Sequence, residues 1–233
     1  QRKFSDEKNI YGFNNSFVNK NLTNFRMMMD LLKIKNYTKE NLGRFSFGDV
    51  GLDISNHDFI KQSDVIHLHW INEGFLSLRS LEKLFQLKKN IVWTFHDMWA
   101  FTGGCHYSGK CRSYENTCSI CPYLKKPADD DYSFKFFELK KKIYSSSKFK
   151  IITCSNWLKS CVKSSTLLKE KIVEVIPNTI DTNRFNAIDK YEARKKLQLE
   201  SDKIYFLFTT LSTNEQRKGL SQLIETLKFF KNN

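Results

Sequence analysis

The sequence predicts an α/β fold built on a parallel sheet, and three observations carry that expectation. Two short runs, Val65–Trp70 and Ile91–Phe95, are apolar at nearly every position, as in strands buried on both faces of a sheet. Between them, Leu78–Lys88 places Leu78, Leu81, Leu84 and Phe85 at helical spacing, which makes one β-α-β unit. The same alternation resumes after Ser133, and successive units of this kind cross over with a right hand.

The elements follow in order. Residues 1–45 have weak periodicity and much Asn and Lys. Phe25–Leu32 (FRMMMDLL) is expected to form one helix, and no segment here reads as an opening strand. Asp53–Ser63 is a polar connection with a helical turn. After the central unit, Gly103–Pro127 is a cysteine-rich loop. Ser133–Ser145 reads as a helix with Ser133 as its N-cap, and Phe149–Thr153 as a strand. Ser155 is expected to cap a helix over Asn156–Leu168, with Trp157, Leu158, Cys161 and Val162 on one face. Ile172–Ile176 is a strand stopped by Pro177. A helix over Tyr191–Leu197, a strand over Ile204–Thr209 and a helix over Leu220–Phe230 complete the chain. A boundary is expected near Pro177–Phe185. Residues 1–178 then form one domain and 179–233 the start of a second, because a lone β-α unit cannot bury both its faces.

Each central strand ends in a cluster of hydrogen-bonding and aromatic residues. His69, Trp70 and Asn72 follow the first, and His96, Asp97 and Trp99 the second. In open α/β sheets ligands bind outside the carboxyl ends of the strands, so a polar small molecule is expected there. His67 and His69 are expected on opposite faces of the sheet, at least one of them as a hydrogen-bonded core histidine.

Four of the six cysteines fall close together, as Cys105-x5-Cys111-x6-Cys118-x2-Cys121. Four thiolates in one loop can surround a tetrahedral, structural Zn²⁺ with no open position. His106 could take the place of Cys105. An iron–sulfur cluster, or free or redox-active cysteines, are the alternatives. Cys154 and Cys161 are expected to be core residues.

The net charge of +13 has several readings. Lysine is spread over almost every helix instead of being gathered with base-reading elements, so a nucleic-acid partner is not expected. Lys135–Lys150 mixes lysines with Phe136, Phe137, Ile143 and Tyr144, which suggests contact with an anionic membrane surface or simply a solvated helix face. No apolar run approaches the ~20 residues of a membrane span. The opening QRKFSDEKNI lacks the apolar segment of a secretory signal. We expect a cytoplasmic setting, peripheral at most to the inner face of the cell membrane.

Several segments together resemble family 4 glycosyltransferases, retaining enzymes of the GT-B architecture. They are DVIHLHW (Asp64–Trp70), TFHD (Thr94–Asp97), CSNWLKS (Cys154–Ser160), VIPNTIDTNRF (Val175–Phe185) and RKGL (Arg217–Leu220). The run from His96 to Leu124 further resembles a subgroup of bacterial surface-polysaccharide transferases with the same cysteine loop. The resemblance implies two Rossmann-like domains facing across a cleft, here with the second incomplete. It implies transfer of a sugar from a nucleotide-sugar donor to a hydroxyl of a glycan or lipid-linked acceptor, without a catalytic metal. His96 would face the transferring sugar, and His69, Trp70, Asn72, Asp97 and Trp99 would shape the acceptor pocket. Ser155 and Asn178 match positions of the substrate-binding motifs. Arg217 and Lys218 would meet the donor diphosphate. Some of the family's pattern has no clear counterpart: its opening strand with a Gly-rich turn, its E-x7-E pair, and the Arg of the Gly-Arg pair that commonly comes before the Lys, since Phe208–Thr213 reads FTTLST. Thr179 stands where a Gly is usual. The chain is therefore expected to be a fragment, inactive by itself. A zinc-stabilised domain that binds a sugar or an anionic surface without turnover is the alternative.

Overall fold

The computed structural model describes residues 10–12, 17–39, 44–210, 213 and 216–232. The chain divides into two compact units, 1–177 and 178–233.

The first unit opens with helix α1 (Phe17–Tyr37), which contains the expected Phe25–Leu32 helix and is more than twice as long. A short helix α2 (Asp58–Gln62) precedes strand β1 (Val65–Leu68). Helix α3 (Leu78–Gln86) leads to β2 (Asn90–Phe95), α4 (Tyr132–Ser145) to β3 (Lys150–Thr153), and α5 (Asn156–Ser164) to β4 (Val173–Val175). The four strands are all parallel and lie in the order β1-β2-β3-β4. This is the expected α/β class, with a Rossmann-like parallel sheet. Because every strand runs the same way, the carboxyl ends of β1, β2 and β3 share one edge.

Among the described residues the sheet is covered mainly on one face. Ile66, Leu68, Ile91, Trp93, Phe95, Ile151 and Val173 are buried. They join one core with Leu78, Leu81 and Leu84 of α3, Phe137, Ile143 and Tyr144 of α4, and Leu158 and Val162 of α5. The alternate positions Val65, His67 and Glu174 are exposed, Val92 and Ile152 half-buried, and Thr94 buried. The expectation of strands buried on both faces is thus corrected. Apolar content alone does not show which face is covered, because Val and Ile favour strands by their shape even when half-exposed.

The helix starts are set by side chains that accept orphan backbone N–H groups. Ser155 caps α5 through Leu158 N–H at 3.2 Å, as expected, and Ser77 caps α3 through Ser80 N–H at 3.1 Å. The cap of α4 is Asp131 and not Ser133: one carboxylate oxygen accepts from the N–H groups of Ser133 and Phe134. Its other oxygen accepts from Cys121 N–H at 2.8 Å, so a single carboxylate ties the cysteine loop to the helix. Helix α5 stops at Ser164, short of Leu168, and Trp157 is 56% exposed, so it does not share the buried face of Leu158.

The second unit contains α6 (Lys190–Lys196) and α7 (Leu220–Asn232). The expected strand at Ile204–Thr209 is not formed, and Ile204 and Leu207 are 82% and 89% exposed. A strand needs a neighbour to take its backbone hydrogen bonds, and no described segment offers one. Among the described residues no helix is long and apolar enough to cross a membrane.

Candidate active site

The edge formed by the carboxyl ends of β1 and β2 carries an open pocket of about 240 Å³. Its walls include His69, Trp70 and Asn72 after β1, and His96, Asp97 and Trp99 after β2. Two clusters that lie 27 residues apart in sequence meet here because Leu68 pairs with Trp93 in the parallel register. The indole N–H of Trp93 donates to the His69 carbonyl at 3.0 Å and so fixes the backbone where β1 ends.

His69 and His96 are exposed at the mouth of the pocket. His69 Nδ1 and His96 Nε2 are 3.0 Å apart and the rings stack at 5.4 Å. One of these nitrogens must donate and the other accept, so the contact requires at least one neutral ring. His67 lies on the same side as His69, with ring centroids 4.3 Å apart, which overturns the expectation of opposite faces. Residues two apart on a strand point the same way. His67 Nε2 meets Thr94 Oγ1 at 2.8 Å, so His67 is hydrogen-bonded, but it is exposed and not in the core.

Partial burial, and then the neighbouring His67 and His96, hold the His69 pKa below the usual histidine value. His69 therefore takes up a proton less readily in the fold than in the unfolded chain, and its protonation opposes both folding and the His69–His96 contact. Both effects begin as pH falls below about 6.5, the ordinary histidine value, and grow towards acid. Ligand binding at this edge is expected to weaken over that range, with a flat response from pH 7 to 8. A titration of affinity against pH checks it, and an unchanged affinity at pH 5 would contradict it.

Behind the histidines lies a buried polar relay. Asp97 Oδ2 accepts from His106 Nδ1 at 2.7 Å, and Asp97 Oδ1 accepts from the Trp99 N–H at 2.9 Å. His106 Nε2 in turn lies 2.9 Å from Ser46 Oγ and 3.3 Å from Asn72 Nδ2. Burial by itself would raise the Asp97 pKa, but the hydrogen bond and charge of His106, with the Trp99 N–H, outweigh it and hold the carboxyl below its ordinary value. Asp97 is thus an anion that orients His106, and through it the Asn72 amide at the pocket wall. Trp99 is 2% exposed and its indole N–H donates to the Ser46 carbonyl at 2.9 Å. The ring forms part of the pocket wall, with its polar handle turned inward. Gly48 makes this packing possible: its φ is +76°, and a Cβ there would fall 2.6 Å from the Trp99 ring. Trp70 is half-buried, with the Arg44 guanidinium 4.5 Å over its ring.

The remaining expected positions lie elsewhere. Ser155 stands at the end of β3 as the cap of α5, on the same edge as the pocket but not among its lining residues. Asn178 is exposed and begins the second unit, which also holds Arg217 and Lys218 in the turn just before α7. Cys105, Cys111, Cys118 and Cys121 together line a second cavity of about 280 Å³. Among the described residues no three His, Cys, Asp or Glu side chains are closed on a metal-sized point.

Sequence reasoning missed Ser46, Arg44, Lys140 and the true place of His106. Lys140 did leave a signal: it falls on the same helical stripe as Phe136, Phe137, Ile143 and Tyr144, all of them buried. Those four apolar side chains are in the core, so the Lys135–Lys150 stretch presents lysines but no apolar face to a membrane.

A curated relative, described as a putative colanic acid biosynthesis glycosyl transferase from Escherichia coli K12, is 33% identical over 66 residues. That match covers 26% of this chain and 16% of the relative's length. No solved structure matches. Residues 45–184, which include both strand ends, the histidine pocket, the Asp97–His106 relay and the cysteine loop, match Glycosyltransferase Family 4, and the chain belongs to that family.

Proposed function

We propose that the protein is a glycosyltransferase of the retaining, GT-B type. It moves a sugar from a nucleotide-sugar donor to a hydroxyl of a glycan or lipid-linked acceptor during surface-polysaccharide synthesis. The observation that carries this reading is the pocket at the carboxyl ends of β1 and β2, where the His69–His96 pair is open to solvent and backed by an ordered Asp97–His106 relay. Family membership and the name of the relative support the reaction class and the polysaccharide context.

In this reading residues 1–178 hold the acceptor and residues 179–233 begin the nucleotide-sugar domain. His96 faces the transferring sugar, and Trp70 and Asn72 contact the acceptor by stacking and hydrogen bonding. Arg217 and Lys218 put positive charge beside the start of α7, whose unpaired N–H groups favour an anion. That arrangement suits a leaving nucleoside diphosphate, whose negative charge grows as the sugar–phosphate bond breaks. Ser155 and Asn178 complete the substrate contacts. A cytoplasmic enzyme working on lipid-linked acceptors would also gain from the +13 charge, which draws it electrostatically to an anionic membrane face.

The test is transfer of labelled sugar from a panel of nucleotide-sugars to acceptors extracted from membranes, with the anomeric configuration of the product read by NMR. Transfer with retained configuration supports the proposal. Transfer with inversion removes the retaining assignment. Tight glycan binding with no transfer under any donor would favour a non-enzymatic binding domain.

A further inference from the structure

We propose that the cysteine loop is a structural zinc site, loaded by Cys105, Cys111, Cys118 and Cys121. The fold brings all four to the wall of one cavity, although they span seventeen residues of irregular chain. Cys105 is fixed by its antiparallel bridge to Phe45, and Cys121 by the N–H it donates to Asp131. Cys105, Cys118 and Cys121 are buried, Cys111 is half-buried, and all are free thiols. The four cysteines line this cavity, and among the described residues no three of them are closed on a metal-sized point. Zn²⁺ would draw them in by replacing their protons, about four per ion for a four-thiolate site.

Two features around the cavity suit a thiolate cluster better than four inert thiols. First, the backbone supplies N–H groups to sulfur: Gly103 donates to Cys118 Sγ at 3.2 Å, and the backbone of Tyr123 bonds to the Cys121 thiol. Such bonds orient and stabilise metal-bound sulfur. Second, Ile120, inside the Cys118-x2-Cys121 turn, takes φ +45°, a conformation that β-branched residues rarely adopt. The turn is held tight at a cost in backbone energy that an apolar surface loop would not need.

The site also reaches the pocket. His106 follows Cys105 directly in sequence and bonds Asp97, which follows His96. Pinning Cys105 therefore holds the relay behind the histidine pair.

The experiment uses the whole chain, expressed and purified in reducing buffer without added metal. Elemental analysis is expected to give about one zinc per chain. Mercurial modification of the thiols should release that zinc. Replacement by Co²⁺ should give the thiolate-to-metal charge-transfer absorption of a tetrahedral sulfur site. Stripping with a chelator should lower the melting temperature by roughly 10 °C, restored by Zn²⁺ and not by Mg²⁺. Cys121→Ser should purify with far less zinc. If that variant fails to fold, the metal analysis and the Co²⁺ spectrum of the unmodified chain still decide. No metal with all thiols rapidly titratable, iron in place of zinc, or disulfides detected by mass would each overturn the proposal.

Discussion

His96→Ala is expected to lower sugar transfer by a factor of order 10², the loss seen when one positioned transition-state contact is removed. The fold should be untouched. His96 is exposed, and its hydrogen bond to His69 joins two solvent-facing rings, so stability should change by no more than about 0.5 kcal/mol. His57→Ala is the matched control. His57 caps α2 by accepting the Phe59 N–H at 3.3 Å, away from the strand-end pocket, and its loss should cost stability while leaving turnover intact. Measuring kcat and melting temperature for both variants separates the two roles. Comparable kcat values would remove His96 from the mechanism.

The largest effect on stability is expected at Trp93. Its ring is buried in the middle of the sheet, edge-on to Phe95 at 5.0 Å and against Tyr144 and Phe149 at 6.4 and 6.1 Å. Trp93→Ala leaves a cavity among these rings and should cost about 3–5 kcal/mol, a large share of the stability of an ordinary domain. It also deletes the indole N–H that holds the His69 carbonyl. Trp93→Phe keeps most of the ring volume, so it isolates that hydrogen bond, worth about 1 kcal/mol. Denaturant unfolding should show a lower midpoint at unchanged slope for both variants, in that order. A midpoint for Trp93→Ala within error of the unmodified chain would contradict the core described here.

The strand-helix alternation was legible because hydrophobic periodicity is a local signal. Val65–Leu68, Leu78–Gln86 and Asn90–Phe95 all fall where the pattern put them, within a residue or two at each end. Caps were legible where a Ser stood alone before its helix, at Ser155. They were misjudged where two candidates competed, because Asp131 outcompetes Ser133 by also reaching Cys121. The strand expected at Ile204–Thr209 has suitable residues, but a strand is a property of a pair, and sequence does not show whether a partner is present. At the candidate site, the two clusters after β1 and β2 were legible as strand ends. The relay was not: Ser46 lies 60 residues from His106, and only the parallel sheet and the antiparallel Phe45–Cys105 bridge bring them together. Lys140 was read as surface charge although its helical stripe placed it among core residues. A lysine is almost never fully buried without partners, and its partners, the carbonyls of Trp99 and Thr102, lie in another part of the chain.

The measurement closest to the central claim is a titration of the acceptor glycan followed through the ring protons of the five histidines, His57, His67, His69, His96 and His106. Assignment by single substitution makes each ring a reporter on its own position. The expected result is saturable shifts at His69 and His96, smaller ones at His106 through Asp97, and none at His57. Shifts confined to His57, or no shift at any ring while the glycan is bound, would contradict a binding site at the carboxyl ends of β1 and β2.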